Sequence, residues 1–143
     1  MRVTILFVML FVSMSFKTFA QFGVSVHQTN LPFVGFNYEL KDKYMGELRF
    51  STDNFFEDIS PELVFTRFIK KDNDYNFYGG LGARLNIYEG LVIPLGINVY
   101  PFEKKNFGFQ MELAPIIGDD ALLRGTWGIR YCFGDRSSSL LEK

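Results

Sequence analysis

His27 is the single histidine of this 143-residue sequence, and Cys132 is its single cysteine. A histidine acts as a general base only with an acid to orient it and a nucleophile to deprotonate. Ser51, Asp53 and Asp58 supply those residue types, but no motif ties them to His27. A hydrogen-bonded interior histidine is therefore the preferred reading, and no enzymatic activity is expected. One His and one Cys make too few ligands for a zinc site of the usual kind. A lone cysteine excludes an intrachain disulfide, and no cofactor is expected. Two acidic groups, Asp53/Glu57/Asp58 and Asp119-Asp120, lack the spacing of a calcium loop. They read as solvated turns in preference to bridges for divalent cations.

The remaining ionisable residues fall into a pattern. Glu39, Glu47 and Glu112, with Arg49, Arg84, Arg124 and Arg130, occupy alternate positions in segments whose other positions are apolar. On one inner face, unpaired charges would be very costly. Glu47, Arg49, Arg84, Glu112 and Arg130 are therefore expected to form a structural network of ion pairs. Glu39 and Arg124 fit better as separate, solvated charges near the rims. Such a network plugs a narrow barrel, or lines a gated water path. Cys132 shares the inner parity and is expected to be an inert thiol.

The elements that would position these charges are strands. Phe contributes 17 residues, Tyr 7 and Gly 13, against only 5 Pro, a composition that favours sheet. Period-two alternation recurs nearly everywhere. Phe22, Val24 and Val26 alternate with Gly23, Ser25 and His27. Val34, Phe36, Tyr38 and Leu40 alternate with Gly35, Asn37 and Glu39. Tyr44, Gly46, Leu48 and Phe50 alternate with Met45, Glu47 and Arg49. Tyr75–Tyr88, Leu91–Phe102, Phe107–Ile116 and Gly125–Phe133 continue the pattern, which places Tyr78, Tyr88 and Tyr100 with the polar side chains. Glu62–Lys70, "ELVFTRFIK", is apolar on both faces and reads as a fourth strand with a bulge near Thr66. These make eight strands in residues 21–133, the spacing of a small antiparallel up-and-down barrel.

Residues 1–20 read as a cleaved secretory signal, with Arg2, an apolar run from Val3 to Val12, and Thr18-Phe19-Ala20 before the cut. The apolar run is short for a membrane span. Residues 134–143 read as a short tail. The net charge of −1 gives no electrostatic case for nucleic acid.

A soluble lipid carrier and a membrane barrel both alternate, with opposite faces inward. Three features favour the membrane. The polar faces of the well-patterned strands hold no Lys, unlike a water-facing surface. They are rich in glycine, which suits a narrow lumen filled by side chains. The apolar faces of those same well-patterned strands hold no charge, as a lipid-facing surface requires. Finally, Lys41, Lys43, Lys70, Lys71, Lys104 and Lys105 fall in the second, fourth and sixth connections, while the odd-numbered connections carry only acids. The charges sort by rim.

The last predicted strand, "GTWGIRYCF", puts Trp127, Ile129, Tyr131 and Phe133 on the lipid side and Arg130 inside. Its aromatic spacing, closing on Phe133, resembles the C-terminal assembly signal of outer-membrane β-barrel proteins of Gram-negative bacteria. "YPF", a short turn and "GFQMELAPI" look like the small eight-stranded barrels of this kind in Bacteroidota. The family's signal ends the chain, whereas here "GDRSSSLLEK" follows. The resemblance implies an all-β, eight-stranded transmembrane barrel in the outer membrane, with Trp127, Tyr131 and Phe133 as the signal. It implies contact with outer-membrane lipids and lipopolysaccharide. It also implies passage through periplasmic chaperones and the barrel-assembly machinery, and a monomer with a structural or surface-interaction role. Two other readings stand beside it. One is a secreted soluble barrel holding a lipid or other apolar ligand. The other is an outer-membrane enzyme built around His27.

Overall fold

The computed structural model describes residues 21–41, 43–52 and 58–134. The expectations for the signal segment, for Asp53 and Glu57, and for the tail beyond Gly134 lie outside these residues. The strands are β1 (Gln21–Gln28), β2 (Phe33–Leu40), β3 (Tyr44–Thr52), β4 (Ile59–Lys71), β5 (Tyr75–Arg84), β6 (Gly90–Val92), β7 (Leu95–Val99), β8 (Phe107–Gly118) and β9 (Ala121–Phe133). Every pairing is antiparallel, and β9 pairs back onto β1, with Phe22 opposite Phe133 and His27 opposite Gly128. The sheet is closed and has no edge left to cover.

Strands β6 and β7 are two pieces of one barrel strand. Both lie between β5 and β8, in one continuous register. The break falls at Ile93-Pro94, where proline lacks the N–H that a ladder needs. Neighbouring groups keep the strand in place: Gly80 N–H donates to Pro94 O at 3.0 Å, and Ile93 N–H donates to Pro115 O at 3.0 Å. The barrel therefore has eight strands.

Alternation sets what faces where. In β2, β4 and β9, buried and exposed residues alternate along the strand. The exposed set is mostly apolar, with Arg67 an exception: Phe65, Met111, Leu123 and Trp127 are each 62% exposed. The buried set is largely polar, with Arg49, Arg124, Asn76 and Asn98 all at 0%. The soluble-carrier reading needed the opposite arrangement. Among the described residues, no helix is long and apolar enough to cross a membrane.

Three local expectations are corrected. The strand predicted over Tyr75–Tyr88 ends at Arg84, and the chain turns through Leu85–Glu89. Asn86 (φ 73°) and Tyr88 (φ 52°) take left-handed conformations there. Period two breaks at the turn, so Tyr88 is 43% exposed and does not face the lumen. In β4 the irregularity lies between Phe68 and Lys70, not at Thr66. Strand β4 also runs on to Lys71, so Lys70 and Lys71 belong to the strand and not to the connection.

Residues 21 and 133 lie at one rim, together with the turn at Lys41–Lys43 and the connections between β4 and β5 and between β7 and β8. The opposite rim carries Asp58, Glu89, Asp119 and Asp120, all exposed. We call these the terminal rim and the acidic rim.

Candidate functional site

Among the described residues, inward parity gathers ionisable side chains in the lumen. Strand β3 contributes Glu47 and Arg49, β4 Glu62, β5 Tyr78 and Arg84, β8 Gln110 and Glu112, and β9 Arg124. Each is an inward residue of its strand. Arg49 Nη1 and Nη2 donate to Oε1 and Oε2 of Glu112, both at 2.7 Å. Its Nε and Nη2 also reach Glu47 Oε2, at 2.9 and 2.8 Å, and Nη1 reaches Glu62 Oε1 at 3.1 Å. Arg124 Nη1 and Nη2 donate to Oε2 and Oε1 of Glu62 at 2.7 and 2.8 Å. Arg84 Nη1 lies 3.4 Å from Glu62 Oε2. Three carboxylates thus meet three guanidinium groups, and the charge within this layer is balanced.

Of the residues expected in a network, Glu47, Arg49, Arg84 and Glu112 meet here. Arg130 belongs to a second group nearer the terminal rim. Its Nη2 donates to Asn37 Oδ1 at 2.8 Å and to Glu39 Oε1 at 3.0 Å. Lys71 Nζ reaches the other Glu39 oxygen at 3.1 Å. Glu39 and Arg124 were expected to be separate, solvated charges. They are 1% and 0% exposed and both are paired. Isolated charges at that burial would cost several kcal/mol, roughly, and pairing is the physical resolution. Glu62 and Lys71 are additional members whose role the alternation did not reveal.

His27 is 1% exposed. Its ring stacks on Phe33 with centroids 4.2 Å apart. Nε2 faces Gln110 Oε1 at 3.1 Å, and Nδ1 faces Thr126 Oγ1 at 3.1 Å. An amide oxygen only accepts, so Nε2 carries the proton and Nδ1 accepts from the threonine hydroxyl. The chain continues: Gln110 Nε2 donates to the Tyr78 hydroxyl at 2.6 Å, and Tyr78 donates to Glu112 Oε2 at 2.8 Å. His27 is thereby wired into the ion-pair layer. It is not joined to Ser51, whose hydroxyl donates to Ser60 O at 3.2 Å, nor to Asp58, which is exposed at the acidic rim. Asp53 lies outside the described residues.

Phe33 closes the layer towards the acidic rim. Arg49 and Arg124 place their guanidinium carbons 4.8 and 4.9 Å from its ring centroid, a cation–π arrangement on a desolvated ring. Val92, Ala114 and Ile116 form an apolar cluster nearby, with Leu122 against it. The terminal-rim half is less fully satisfied. Arg130 Nε and Nη1, Asn37 Nδ2 and the Asn98 amide have no hydrogen-bond partner among the described residues. Cys132 is buried with a free thiol. No group of three or more His, Cys, Asp or Glu among the described residues is arranged to hold a metal.

The arrangement can brace and fill a barrel. Trp127, Tyr131 and Phe133 lie on the opposite surface of β9, 62%, 43% and 55% exposed. Tyr131 and Phe133 pack edge to face at 5.1 Å, and Phe133 stacks on Phe22 at 5.8 Å across the closing seam.

No family model and no curated protein sequence matches the chain. Two solved structures share the fold. The solution NMR structure of the de novo designed TMB2.3 superposes with a TM-score of 0.61 at 16% identity, covering 80% of this chain and 94% of that one. The crystal structure of the N-terminal β-barrel domain of Pseudomonas aeruginosa OprF gives 0.56 at 15% identity, covering 80% and 96%. At such identities the likeness is one of fold: this chain is an all-β, closed, eight-stranded antiparallel barrel of the kind those two proteins adopt.

Proposed function

We propose that this chain is an integral outer-membrane protein of a Gram-negative bacterium. Its barrel is filled by side chains, its role is structural or in surface interaction, and it is neither a general porin nor an enzyme. The observation that carries this reading is the inversion of the usual soluble pattern. Apolar and aromatic residues cover the outside, while ion pairs occupy the centre. Water is a poor solvent for that exterior and hydrocarbon is a good one. The barrel architecture of the OprF domain adds support, as does the resemblance of "YPF" and "GFQMELAPI" to small Bacteroidota barrels. On this reading the protein is a monomer, contacts lipid and lipopolysaccharide, and is delivered by periplasmic chaperones to the barrel-assembly machinery. Trp127, Tyr131 and Phe133 form the surface read there.

Cell fractionation tests the proposal. The full chain, expressed in a Gram-negative host, should sediment with outer membranes and need detergent to remain monodisperse. Recovery from the periplasm as a monodisperse protein without detergent would overturn it.

A further inference from the structure

The irregularity in β4 changes which lysine meets which solvent. Phe68 pairs with Tyr78 and faces the lumen, but Lys70 pairs with Phe77, an outward residue, and Lys71 with the inward Asn76. One extra residue, Ile69, is accommodated between them, and it is 71% exposed. Bulges re-aim side chains in this way. Without it, Lys70 would point inward and Lys71 outward. With it, Lys71 reaches Glu39 in the lumen, and Lys70 joins Arg67 on the outer surface.

Arg67 is the notable neighbour. It is exposed, shares the outward parity of Phe65 and Ile69, and pairs with Tyr44 of β3 and Gly79 of β5. Among the described residues, no carboxylate lies within ion-pair distance of Arg67 or of Lys43, which is exposed in the adjoining turn. Lys70 Nζ sits 5.1 Å from the Tyr75 ring centroid, with Asp72 near by. Asp74 is occupied by Lys105 at 2.6 Å. The sector across β3, β4 and β5 therefore presents cations in surplus, at a rim, framed by Tyr44 and Tyr75. Interfacial tyrosines sit at headgroup depth. An arginine facing hydrocarbon near mid-membrane costs about 2–4 kcal/mol, and close to nothing at the interface.

We propose that Arg67 and Lys70, with Lys43, form a binding site for the phosphate headgroup of an anionic phospholipid in the leaflet at the terminal rim. The guanidinium group takes the phosphate oxygens in fork geometry and the two ammonium groups add point charge. Acyl chains then run along the apolar outer face. Among the described residues the acidic rim exposes no lysine or arginine, so the preference is one-sided. This inference rests on the membrane reading above.

The test uses the full mature barrel in nanodiscs of equal phosphatidylglycerol and phosphatidylcholine, with retained lipids counted by native mass spectrometry. Phosphatidylglycerol should be enriched several-fold around the native barrel. Arg67→Gln with Lys70→Gln should abolish the enrichment, while Lys104→Gln, at the same rim but outside this sector, should leave it intact. Equal retention of both lipids, or equal loss in the Lys104→Gln control, would overturn the site while leaving the membrane reading in place. Failure of the native chain to insert at all would overturn both.

Discussion

Arg49 and Glu112 meet across the full width of the lumen, joined by two hydrogen bonds of 2.7 Å. Strands β3 and β8 lie opposite one another in the closed sheet, four barrel strands apart by either route. Arg124 on β9 and Glu62 on β4 are related in the same way, with bonds of 2.7 and 2.8 Å. Two bidentate ion pairs thus cross the barrel on two diameters. Each fixes the separation of strands that share no ladder. Backbone pairing resists shear between neighbours, and these braces resist collapse or ovalisation.

Breaking one brace on one side should be far worse than replacing it whole. Glu62→Leu leaves Arg84 without a carboxylate and Arg124 with only Glu112, at 3.7 Å, in a lumen without water-like screening, and should cost about 3–5 kcal/mol. Arg124→Met combined with Glu62→Leu should recover a large part of that loss. Urea unfolding in lipid vesicles, followed by Trp127 fluorescence, measures both. A double variant no more stable than the single would show that the pair is not coupled.

The same layer shows how far the sequence speaks. Parity placed Arg49, Arg84, Glu47 and Glu112 on one face because β3, β5 and β8 alternate cleanly. It missed Glu62 because "ELVFTRFIK" is apolar on both faces, and Val64 and Phe68 look no more inward than Leu63 and Phe65. One signal was present: three inward glutamates stood against four inward arginines, and the imbalance called for another acid. The bulge at Ile69 had no such signal, since "FIKK" fits either register. Tyr88 was misplaced because the chain leaves the sheet at Arg84, five residues before the Glu89-Gly90 pair that reads as the turn. The bidentate geometry across the lumen was out of reach, because alternation gives a face and not a partner.

Glycines on β5 mark where strand backbones and side chains approach closely. A Cβ on Gly80 would meet Thr66 Cα at 2.7 Å, and one on Gly82 would meet Leu63 O at 2.6 Å and Val64 Cγ2 at 2.7 Å. A Cβ on Gly125 would find Leu113 Cδ2 at 4.0 Å as its nearest neighbour. Gly80→Ala and Gly82→Ala should each destabilise by about 1–3 kcal/mol through overpacking. Gly125→Ala should fall near zero. Similar unfolding midpoints for all three would contradict the close approach of β4 and β5.

The exterior makes its own demand. Leu81 and Leu95 are 55% and 54% exposed on the apolar surface. An arginine at either position should cost about 2–4 kcal/mol if it lies near the membrane centre, and should impair insertion. Asn86→Asp is the contrasting case. Asn86 sits in the exposed turn with φ 73°, where aspartate is tolerated, and it gives up only the Nδ2 bond of 3.0 Å to Ile59 O. A liposome folding assay in which all three variants insert equally would refute a lipid-facing exterior.

Phe133 seals the seam between the first and last strands, and it stands in the surface proposed for recognition during assembly. Phe133→Ala should slow barrel assembly in cells. Truncation should be harmless, provided that it follows Gly134. Gly134 O accepts 2.6 Å from Asn106 Nδ2, whose amide also holds Cys132 O at 3.0 Å. Removal of Gly134 itself would therefore loosen the rim. Heat-modifiable migration on gels, followed over time after induction, separates these cases. Normal assembly of Phe133→Ala beside failed assembly of the truncated chain would refute the signal.

The lumen also bears on transport. An eight-stranded barrel is just wide enough for side chains to fill. Here the middle is occupied by Arg49, Arg124, Glu62 and Glu112, all at 3% exposure or less, with Phe33 above them at 3%. A water column would have to pass two bidentate pairs held on opposite walls. Opening one diameter means separating a buried guanidinium from its carboxylate, which costs several kcal/mol, roughly, and is rare at equilibrium. The terminal-rim half is less fully satisfied: nitrogens of Arg130 and Asn37 and the Asn98 amide have no hydrogen-bond partner among the described residues, but these atoms too are buried. The purified barrel in planar bilayers should accordingly show no stable, reproducible conductance steps. Replacing one whole brace, Arg49→Met with Glu112→Leu, should leave the bilayer silent, because Arg124 and Glu62 still span the other diameter. Steady unit conductance in the native protein, with ion selectivity that changes on reversing Arg84 or Glu112, would mean that the lumen is open and that the protein is a channel.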